Sequence, residues 1–401
     1  MAKRIERLSI CILFFLQFIS WSQAQSLPEV KPEEVGMSSV HLELLNSAVK
    51  EALGRKDFPG AVILVARRGK VVWRKAYGES QWVPSHEPMM ISMIFDLASL
   101  TKPIATATSI MILVEEGKIS LWDKVKNFIP EFSPYVGENE TKGKDARIWH
   151  LLTHTSGLPP YADVTEIERK NASSCDLNSL IKRIARLEKT NPPGEAFHYS
   201  CLGYITLALI LEKITGETIA EFSERNIFYP LKMTHTFFVP SEEFRKQCVP
   251  TEVIKGKPLR GIVHDPLARL QGGISGNAGL FSTVDDLAVF AQMMLNKGEF
   301  NGARILSPLT VERMTEVFPE VSFSGRGLGW DINSEYSTNG GDIFGRCLYG
   351  HTGYTGTSTC IDPETETFVI FLTNRVHPDD KGAIVSLRSK VANIVASSIE
   401  R

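Results

Sequence analysis

The feature that most constrains this fold is the placement of short apolar runs near the two ends of the chain. Residues 61–66 and 71–77 flank a polar turn and predict two strands. Toward the other end, residues 347–351, 357–361 and 368–373 predict three more. Strands at both ends, with mostly helical patterns between them, suggest one sheet made from the two ends of the chain. Periodicity alone therefore predicts a mixed α and β fold.

Helical patterns occupy the rest of the chain. Residues 38–55 carry apolar side chains at helical spacing, and residues 383–399 predict a closing helix. Helical periodicity dominates from residue 99 to about residue 290, which we interpret as a helical insertion between the two groups of strands.

Composition and net charge bear on the class of protein. The chain has 401 residues, of which 43% are hydrophobic and 22% charged, and its formal net charge is -2. These values are ordinary for a soluble globular protein and give no sign of a nucleic-acid partner.

The N terminus has the pattern of a secretory signal peptide. Basic residues precede an apolar run over residues 8–21, and Ser22, Gln23 and Ala24 supply small residues at the cleavage positions. The run is shorter than the roughly 20 residues that a spanning helix needs. We expect cleavage near Ala24, a periplasmic or secreted mature chain, and no membrane span in it.

Five cysteines remain after that cleavage, and their spacing matches neither a zinc site nor a CxxC redox motif. An odd number cannot pair completely, and the sequence does not say whether any pair forms. The five are Cys175, Cys201, Cys248, Cys347 and Cys360.

The first candidate for chemistry is an S-x-x-K motif, Ser99-Leu100-Thr101-Lys102. Residues three apart on a helix lie side by side, with about 5–6 Å between their β-carbons. The lysine ammonium can therefore reach the serine hydroxyl. The motif is common by chance, and its alternative interpretation is a helix cap followed by a solvated lysine.

Four further motifs stand in a characteristic order after it. They are LLTHTSGLP at residues 151–159, YSCLGY at 199–204, GNAGLFST at 276–283 and HTGYTGTS at 351–358. Together with the S-x-x-K motif they resemble the serine β-lactamase and penicillin-binding-protein superfamily. The resemblance is closest to its class C-like branch, which also holds family VIII carboxylesterases and D-aminopeptidase-like enzymes.

This resemblance implies an α/β (α+β) fold. An antiparallel sheet from both chain ends would be flanked by helices and interrupted by a large helical insertion. We expect a signal peptide at 1–24 and one hydrolase domain at 25–401. Its sheet part would cover about 35–98 and 290–401, and its helical part about 99–289.

The resemblance also implies roles for three side chains. Ser99 would be the nucleophile that becomes acylated, and Lys102 would ease the loss of its proton. Tyr199 matches the tyrosine of the family's Y-x-N motif and would act as general base and then as acid. Free tyrosine has a pKa near 10, so an adjacent positive charge, for which we take Lys102, must lower it.

The strand motif supplies the opposite wall of the expected site. His351, Thr352 and Gly353 match the family's K-T-G motif. The resemblance places His351 among the catalytic residues and Cys201, Thr352 and Gly353 against the substrate. The oxyanion hole would be the backbone N–H groups of Ser99 and Tyr354. No metal or cofactor is required.

Two departures from the family pattern bear on the substrate. Cys201 stands where an asparagine usually helps to hold an acylamide substrate. His351 stands where β-lactamases carry lysine, and its reference pKa near 6.5 leaves it mostly neutral at neutral pH. Both changes weaken the case for penicillins or D-Ala-D-Ala peptides and leave ester or small-amide hydrolysis open.

Other residues carry weaker hypotheses. His154 and Ser156 could form a Ser-His pair, although the resemblance makes their segment a structural loop beside the site. For His264 and Asp265 the sequence favours neither of two interpretations, that they line the pocket or that they only support it. Thr283, or the serine before it, is expected to cap a helix.

Three hypotheses for function follow. The first is an exported serine hydrolase that cleaves an ester or amide bond of a small or peptide-like substrate through a Ser99 acyl-enzyme. The second is a β-lactamase or DD-peptidase acting on cell-wall peptides. The third is a ligand-sensing module without turnover, which the joint presence of Ser99, Lys102 and Tyr199 argues against.

Overall fold

A computed structural model of the chain describes residues 26–138, 142–163 and 177–400. The expected signal peptide and Cys175 lie outside the described residues. The strands are β1 (Gly60–Arg67), β2 (Lys70–Gln81), β3 (Glu87–Pro88), β4 (Phe95–Asp96), β5 (Phe237–Phe238), β6 (Val253–Ile254), β7 (Lys257–Pro258), β8 (Leu280–Ser282), β9 (Glu299–Phe300), β10 (Ala303–Arg304), β11 (Tyr349–Thr352), β12 (Ser358–Asp362) and β13 (Thr367–Thr373).

Helices account for most of the remaining regular structure. The α-helices are α1 (Ser39–Leu42), α2 (Leu44–Gly54), α3 (Thr108–Glu115), α4 (Ile148–Leu152), α5 (Leu177–Ala185), α6 (Cys201–Thr215), α7 (Ile219–Ser223), α8 (Glu242–Arg245), α9 (Pro266–Leu270), α10 (Val284–Leu295), α11 (Pro308–Thr315) and α12 (Val385–Ser397). Short 3₁₀ turns lie at Pro32–Val35, Ala98–Leu100, Val125–Asn127 and Pro319–Ser324, and π-helical segments at Lys102–Ala107 and Glu224–Phe228. Among the described residues, no helix has both the length and the apolar character that crossing a membrane would require.

One six-stranded sheet joins the two ends of the chain. Its order is β11-β12-β13-β1-β2-β3, and all neighbouring strands are antiparallel. The central pair unites the ends, because Ala61 of β1 lies opposite Thr373 of β13 and Arg67 lies opposite Thr367. The expected antiparallel sheet built from both chain ends is therefore confirmed.

Both faces of this sheet are covered, which explains why β1 is an uninterrupted apolar run. All of its residues are buried. Side chains alternate along a strand, so Val62 and Leu64 enter the core beneath the helical insertion. Ile63 and Val65 point to the other face and share a second core with residues of α2 and α12.

The single helix expected over residues 38–55 is divided into α1 and α2 at Glu43. Ser38 begins the first part, where its Oγ accepts from the His41 N–H at 3.3 Å. At the junction the Asn46 N–H bonds to the Glu43 carbonyl at 3.0 Å, three residues back instead of four. This tighter turn separates the two helices.

Helix α10 connects the insertion to the sheet. Thr283 caps it as expected, since its Oγ1 accepts from the Asp286 N–H at 3.3 Å. The helix contacts β1, β12 and β13. The subdomain boundary proposed near residue 290 falls within α10, and we propose that the whole helix belongs to the sheet part.

Candidate active site

The candidate nucleophile lies in a constrained turn after β4. Ser99 occupies the 3₁₀ turn Ala98–Leu100, and Ala98 has φ of +47°, a conformation that residues with a side chain rarely adopt. Asp96 holds this turn, because its Oδ1 accepts from the Ala98 N–H at 2.9 Å. The local backbone is therefore fixed before Ser99 meets any substrate.

Lys102 reaches Ser99 as the motif spacing predicts. Its Nζ lies 3.0 Å from Ser99 Oγ, 2.9 Å from the Asn277 carbonyl oxygen and 3.5 Å from Cys201 Sγ. Three acceptors match the three N–H donors of an ammonium group. Burial lowers the pKa of Lys102, but interactions with Cys201, Tyr199 and Asp265 together outweigh that effect, and the pKa is raised.

A glycine allows the Asn277 carbonyl to approach Lys102. A Cβ at Gly276 would lie 2.1 Å from the carbonyl oxygen of Tyr204, so a larger residue would displace the loop from α6. Thr106 also fixes this loop, because its hydroxyl donates to the Gly276 carbonyl at 2.7 Å. This contact gives the glycine of GNAGLFST a steric reason.

Tyr199 stands beside Lys102 in an aromatic environment. Lys102 Nζ is 5.1 Å from the ring centroid of Tyr199, and the rings of His154 and Tyr336 lie 4.2 Å and 5.2 Å from it. Burial raises the pKa of the Tyr199 phenol, while the Lys102 ammonium acts to lower it. The two groups therefore titrate as an interacting pair.

His154 packs on Tyr199, and Ser156 makes a separate contact. His154 Nδ1 accepts from the Ser200 N–H at 3.0 Å, and burial lowers the pKa of the imidazole well below its usual value. Ser156 Oγ instead accepts from the Leu158 N–H at 3.4 Å. This arrangement favours a structural loop beside the site over a Ser-His catalytic pair.

His351 lies on β11 with its ring buried. Its Nδ1 is 2.8 Å from the carbonyl oxygen of Thr352, which can only accept, so Nδ1 carries the proton. Nε2 is buried and has no hydrogen-bond partner among the described residues. Burial lowers the pKa of His351 to about 3, and the imidazole is neutral at neutral pH.

Gly353 lets the strand motif approach the nucleophile turn. A Cβ there would lie 2.5 Å from the Leu97 carbonyl oxygen and 2.1 Å from Thr357 Oγ1. The threonines after it reinforce the contact: Thr355 Oγ1 donates to the Asp96 carbonyl at 2.7 Å, and Thr357 Oγ1 to the Leu97 carbonyl at 3.0 Å. The two motifs thus form one rigid unit.

A cavity of about 660 Å³ opens over this unit. Lys102 lies behind its wall and is fully buried, with Cys201 beside it. Six of the residues expected from the sequence line the cavity: Ser99, Tyr199, His351, Thr352, Gly353 and Tyr354.

Further side chains at this cavity carried no motif in the sequence. Asp331, Tyr336, Arg375 and Arg388 also line it. Arg388 lies within α12, and the other three lie in segments between the named strands and helices, so motif spacing gave no signal for them. Charge alone does not distinguish them from the many other charged residues of the chain.

His264 and Asp265 support the site from behind. The His264 ring stacks on Tyr354 with centroids 5.6 Å apart, and its backbone N–H donates to Asp96 Oδ2 at 2.7 Å. Asp265 caps α9 through the Ala268 N–H at 2.8 Å. Neither residue is among those that line the cavity.

Cysteine and metal chemistry are not evident in the described part of the chain. Cys201, Cys248, Cys347 and Cys360 are free thiols. Burial raises the pKa of Cys201, which favours the neutral thiol. No group of three or more His, Cys, Asp or Glu side chains within residues 26–138, 142–163 and 177–400 could hold a metal ion.

Comparison with known proteins gives consistent matches. The family model described as Beta-lactamase matches residues 45–392. An N-acetylmuramyl-L-alanine amidase of Bacillus subtilis (strain 168) is 34% identical, over 80% of this chain and 78% of the relative. A "Putative D-alanyl-D-alanine carboxypeptidase" of Escherichia coli (strain K12) is 31% identical, over 90% and 88%.

Solved structures share the architecture. EstCE1, a hydrolase with promiscuous acyltransferase activity, superposes with a TM-score of 0.73 at 21% identity, over 89% of this chain and 99% of its own. The octameric penicillin-binding protein homologue from Pyrococcus abyssi gives a TM-score of 0.65 at 28% identity, over 84% and 74%. At 21% identity the first of these matches supports the fold alone.

Proposed function

Because this chain belongs to the Beta-lactamase family and is a serine hydrolase of the β-lactamase and penicillin-binding-protein type, we propose that it works through an acyl-enzyme. Ser99 would be the acylated residue, and the substrate a small or peptide-like ester or amide. One observation carries this proposal: Lys102 Nζ lies 3.0 Å from Ser99 Oγ, beside a cavity that Ser99 shares with Tyr199.

Acylation begins when Ser99 Oγ attacks the substrate carbonyl carbon. The Lys102–Tyr199 pair must first lose one proton, which leaves a Tyr199 phenolate stabilised by the Lys102 ammonium. The phenolate then accepts the proton of the Ser99 hydroxyl. Because the active pair has lost that proton, we expect the rate of acylation to rise with pH until the pair is fully in this form.

Collapse of the tetrahedral intermediate completes the step. Its oxyanion would be held by the backbone N–H groups of Ser99 and Tyr354, both at the cavity. The leaving alcohol or amine takes the proton from Tyr199. A water molecule then attacks the acyl carbon, giving its proton to Tyr199, and Tyr199 passes that proton to Ser99 Oγ as the acid departs.

A second candidate is a D-alanyl-D-alanine carboxypeptidase. The Escherichia coli relative bears that name. Arg375 and Arg388 line the same cavity and could face a substrate carboxylate. Both are already engaged, however: Arg388 Nη2 donates to the Gly353 carbonyl at 3.0 Å, and Arg375 Nη1 to Asp380 at 2.9 Å. We therefore rank this candidate second.

Turnover of a substrate panel tests the proposal. The panel consists of short p-nitrophenyl esters, nitrocefin and a D-Ala-D-Ala peptide, offered to the chain that starts at residue 25. Turnover of any of them rules out a sensor without catalysis. Preference for the esters supports the first candidate, and preference for the peptide supports the second.

His351 is expected to set the charge preference of the site. A lysine there would place a fixed cation near a substrate carboxylate and add a charge-assisted hydrogen bond, worth roughly 1.5–3 kcal/mol. The neutral imidazole provides less. We predict that the wild type prefers neutral esters to penicillins, and that His351→Lys shifts kcat/KM toward carboxylate-bearing substrates by about tenfold.

The measured quantity is the ratio of kcat/KM for a penicillin to that for an ester, from pH 5.5 to 8.5. The ratio is used because an effect of the new cation on Tyr199 would change both rates. His351→Asn, which is also neutral, is the control and should leave the ratio unchanged. An unmoved ratio in His351→Lys, or a wild-type preference for penicillins at every pH, would assign the selectivity to other groups, such as Arg375 and Arg388.

We also propose that the chain is exported. The support is the basic, apolar and small-residue pattern of its first 24 residues. N-terminal sequencing of the chain recovered from the periplasm or the medium should begin near residue 25. Retention of the whole chain in the cytoplasm would contradict the proposal.

A further inference from the structure

A short hairpin extends the sheet beside the strand that carries His351. Arg326 and Asp331 form an antiparallel bridge across its turn, and Asp331 pairs in turn with Gly350. The two Asp331–Gly350 backbone hydrogen bonds measure 2.9 Å and 2.8 Å. Backbone pairing thus fixes this hairpin against the first residues of β11.

The Arg326 side chain is buried among aromatic rings. Its exposed fraction is 0%, and its Nη1 donates to the Asp331 carboxylate. Nε and Nη2 have no hydrogen-bond partner among the described residues. Its Cζ lies 5.9 Å from the ring centroid of Tyr199 and 5.9 Å from that of Phe197. The guanidinium charge therefore faces π electrons as well as one carboxylate.

We propose that Arg326 is a positioning residue whose buried charge favours the phenolate form of Tyr199, and that Asp331 limits the strength of this effect. A phenolate ring carries more negative charge than a phenol ring, so a cation over its face favours the ionised form. The inference rests on the proposed function, in which Tyr199 is the base. It gives the site a second cation beside Lys102, where His351 supplies none.

The other groups around Tyr199 do not titrate where the pair does. Burial holds the pKa of His154 well below its usual value and that of His351 at about 3, so both imidazoles are neutral above pH 6. Burial raises the pKa values of Cys201, Tyr204 and Tyr336, which stay protonated. Among the described residues, the groups that face Tyr199 are Ser99, Lys102, His154, Cys201, Tyr204, Arg326, Tyr336 and His351.

Two single variants should move the pH profile in opposite directions. Arg326→Met removes a cation, so the Lys102–Tyr199 pair loses its proton less readily. The acid limb, which is the part of the profile where the rate rises with pH, should therefore move to higher pH. Asp331→Asn removes an anion and should move the limb to lower pH. Each shift is expected to be on the order of one pH unit. The readout is the second-order rate of Ser99 phosphonylation by a fluorophosphonate probe between pH 5.5 and 9.5.

Folding is controlled in three ways. Asp331→Asn is isosteric, and its side-chain oxygen can still accept from Arg326 and from Ser334, which both contact Asp331 now. Arg326→Lys retains the charge and should keep the limb near that of the wild type. The double variant Arg326→Met/Asp331→Asn removes both charges and should return the limb toward the wild-type position, with folding checked by circular dichroism.

The inference is tested by the pH at which the acid limb lies, and not by the maximum rate that a variant reaches. A folded Asp331→Asn variant whose limb stays in place, or moves to higher pH, overturns it. So does a limb that moves in the same direction in both single variants. Absence of any Ser99 adduct in the wild type is a different result, because it contradicts the proposed function itself.

Discussion

Ser99→Ala is expected to abolish acylation and to lower turnover of any substrate by at least about 10³-fold. The alanine has no oxygen to attack the carbonyl, and Lys102 retains its contacts with Asn277 and Cys201. The substitution removes hydrogen bonds of a half-buried hydroxyl to Lys102 and Tyr199, so the unfolding midpoint should move by no more than about 3 °C. A fluorophosphonate probe followed by peptide mass spectrometry should give one adduct on the wild type, at Ser99.

Ser156→Ala is the matched control for this variant. Ser156 is another serine close to a histidine, but its Oγ accepts a hydrogen bond from the Leu158 N–H at 3.4 Å and not one from the histidine. The control should label at Ser99 as the wild type does. An adduct on another peptide, or turnover by Ser99→Ala close to the wild-type rate, would show that the nucleophile lies elsewhere.

Tyr199→Phe is expected to lower kcat by about 10²-fold or more, the usual contribution of a general base. The ring remains stacked between its neighbours, so the fold should be retained. Steady-state kinetics with the best ester of the panel measures the effect. The pH profile of the residual rate should also lack the acid limb that titration of the Lys102–Tyr199 pair produces in the wild type.

Tyr204→Phe supplies a control in the same core. Its hydroxyl donates to the Leu152 carbonyl at 2.8 Å, and both groups are buried. Its loss should reduce stability by about 1–3 kcal/mol and leave kcat nearly unchanged. If Tyr199→Phe kept most of its kcat, Lys102 would have to be the base.

Local pattern was enough to predict the five longest strands and the spacing of Lys102 from the nucleophile, but not the short strands β3–β10. The apolar run of β1 and the turn after it are visible in consecutive residues. The contact of Lys102 with Ser99 is also local, because the two residues are three positions apart. Helix division at Glu43 was not predicted, because one hydrogen bond to the third residue instead of the fourth changes no apolar spacing.

The resemblance added what periodicity could not. It predicted that the sheet built from both chain ends is antiparallel, and it brought the distant motifs together in one expected site. The pairing of β1 with β13, across at least 300 residues of sequence, came from the structure. It also identified His351 as a replacement for lysine. It gave no information on Asp331 or Arg388, because neither belongs to a motif.

The sequence by itself determined the five longest strands, the reach of Lys102 to Ser99 and which residue types could react. The tertiary structure decided their electrostatics. His351 is neutral because the sheet edge buries it, and Tyr199 meets Arg326 because Asp331 pairs with the backbone of Gly350. A charge acts through space and is strengthened by burial, whereas sequence spacing records only neighbours along the chain. The influence of Lys102 on the candidate base was therefore expected from the motifs, whereas that of Arg326 follows from packing alone.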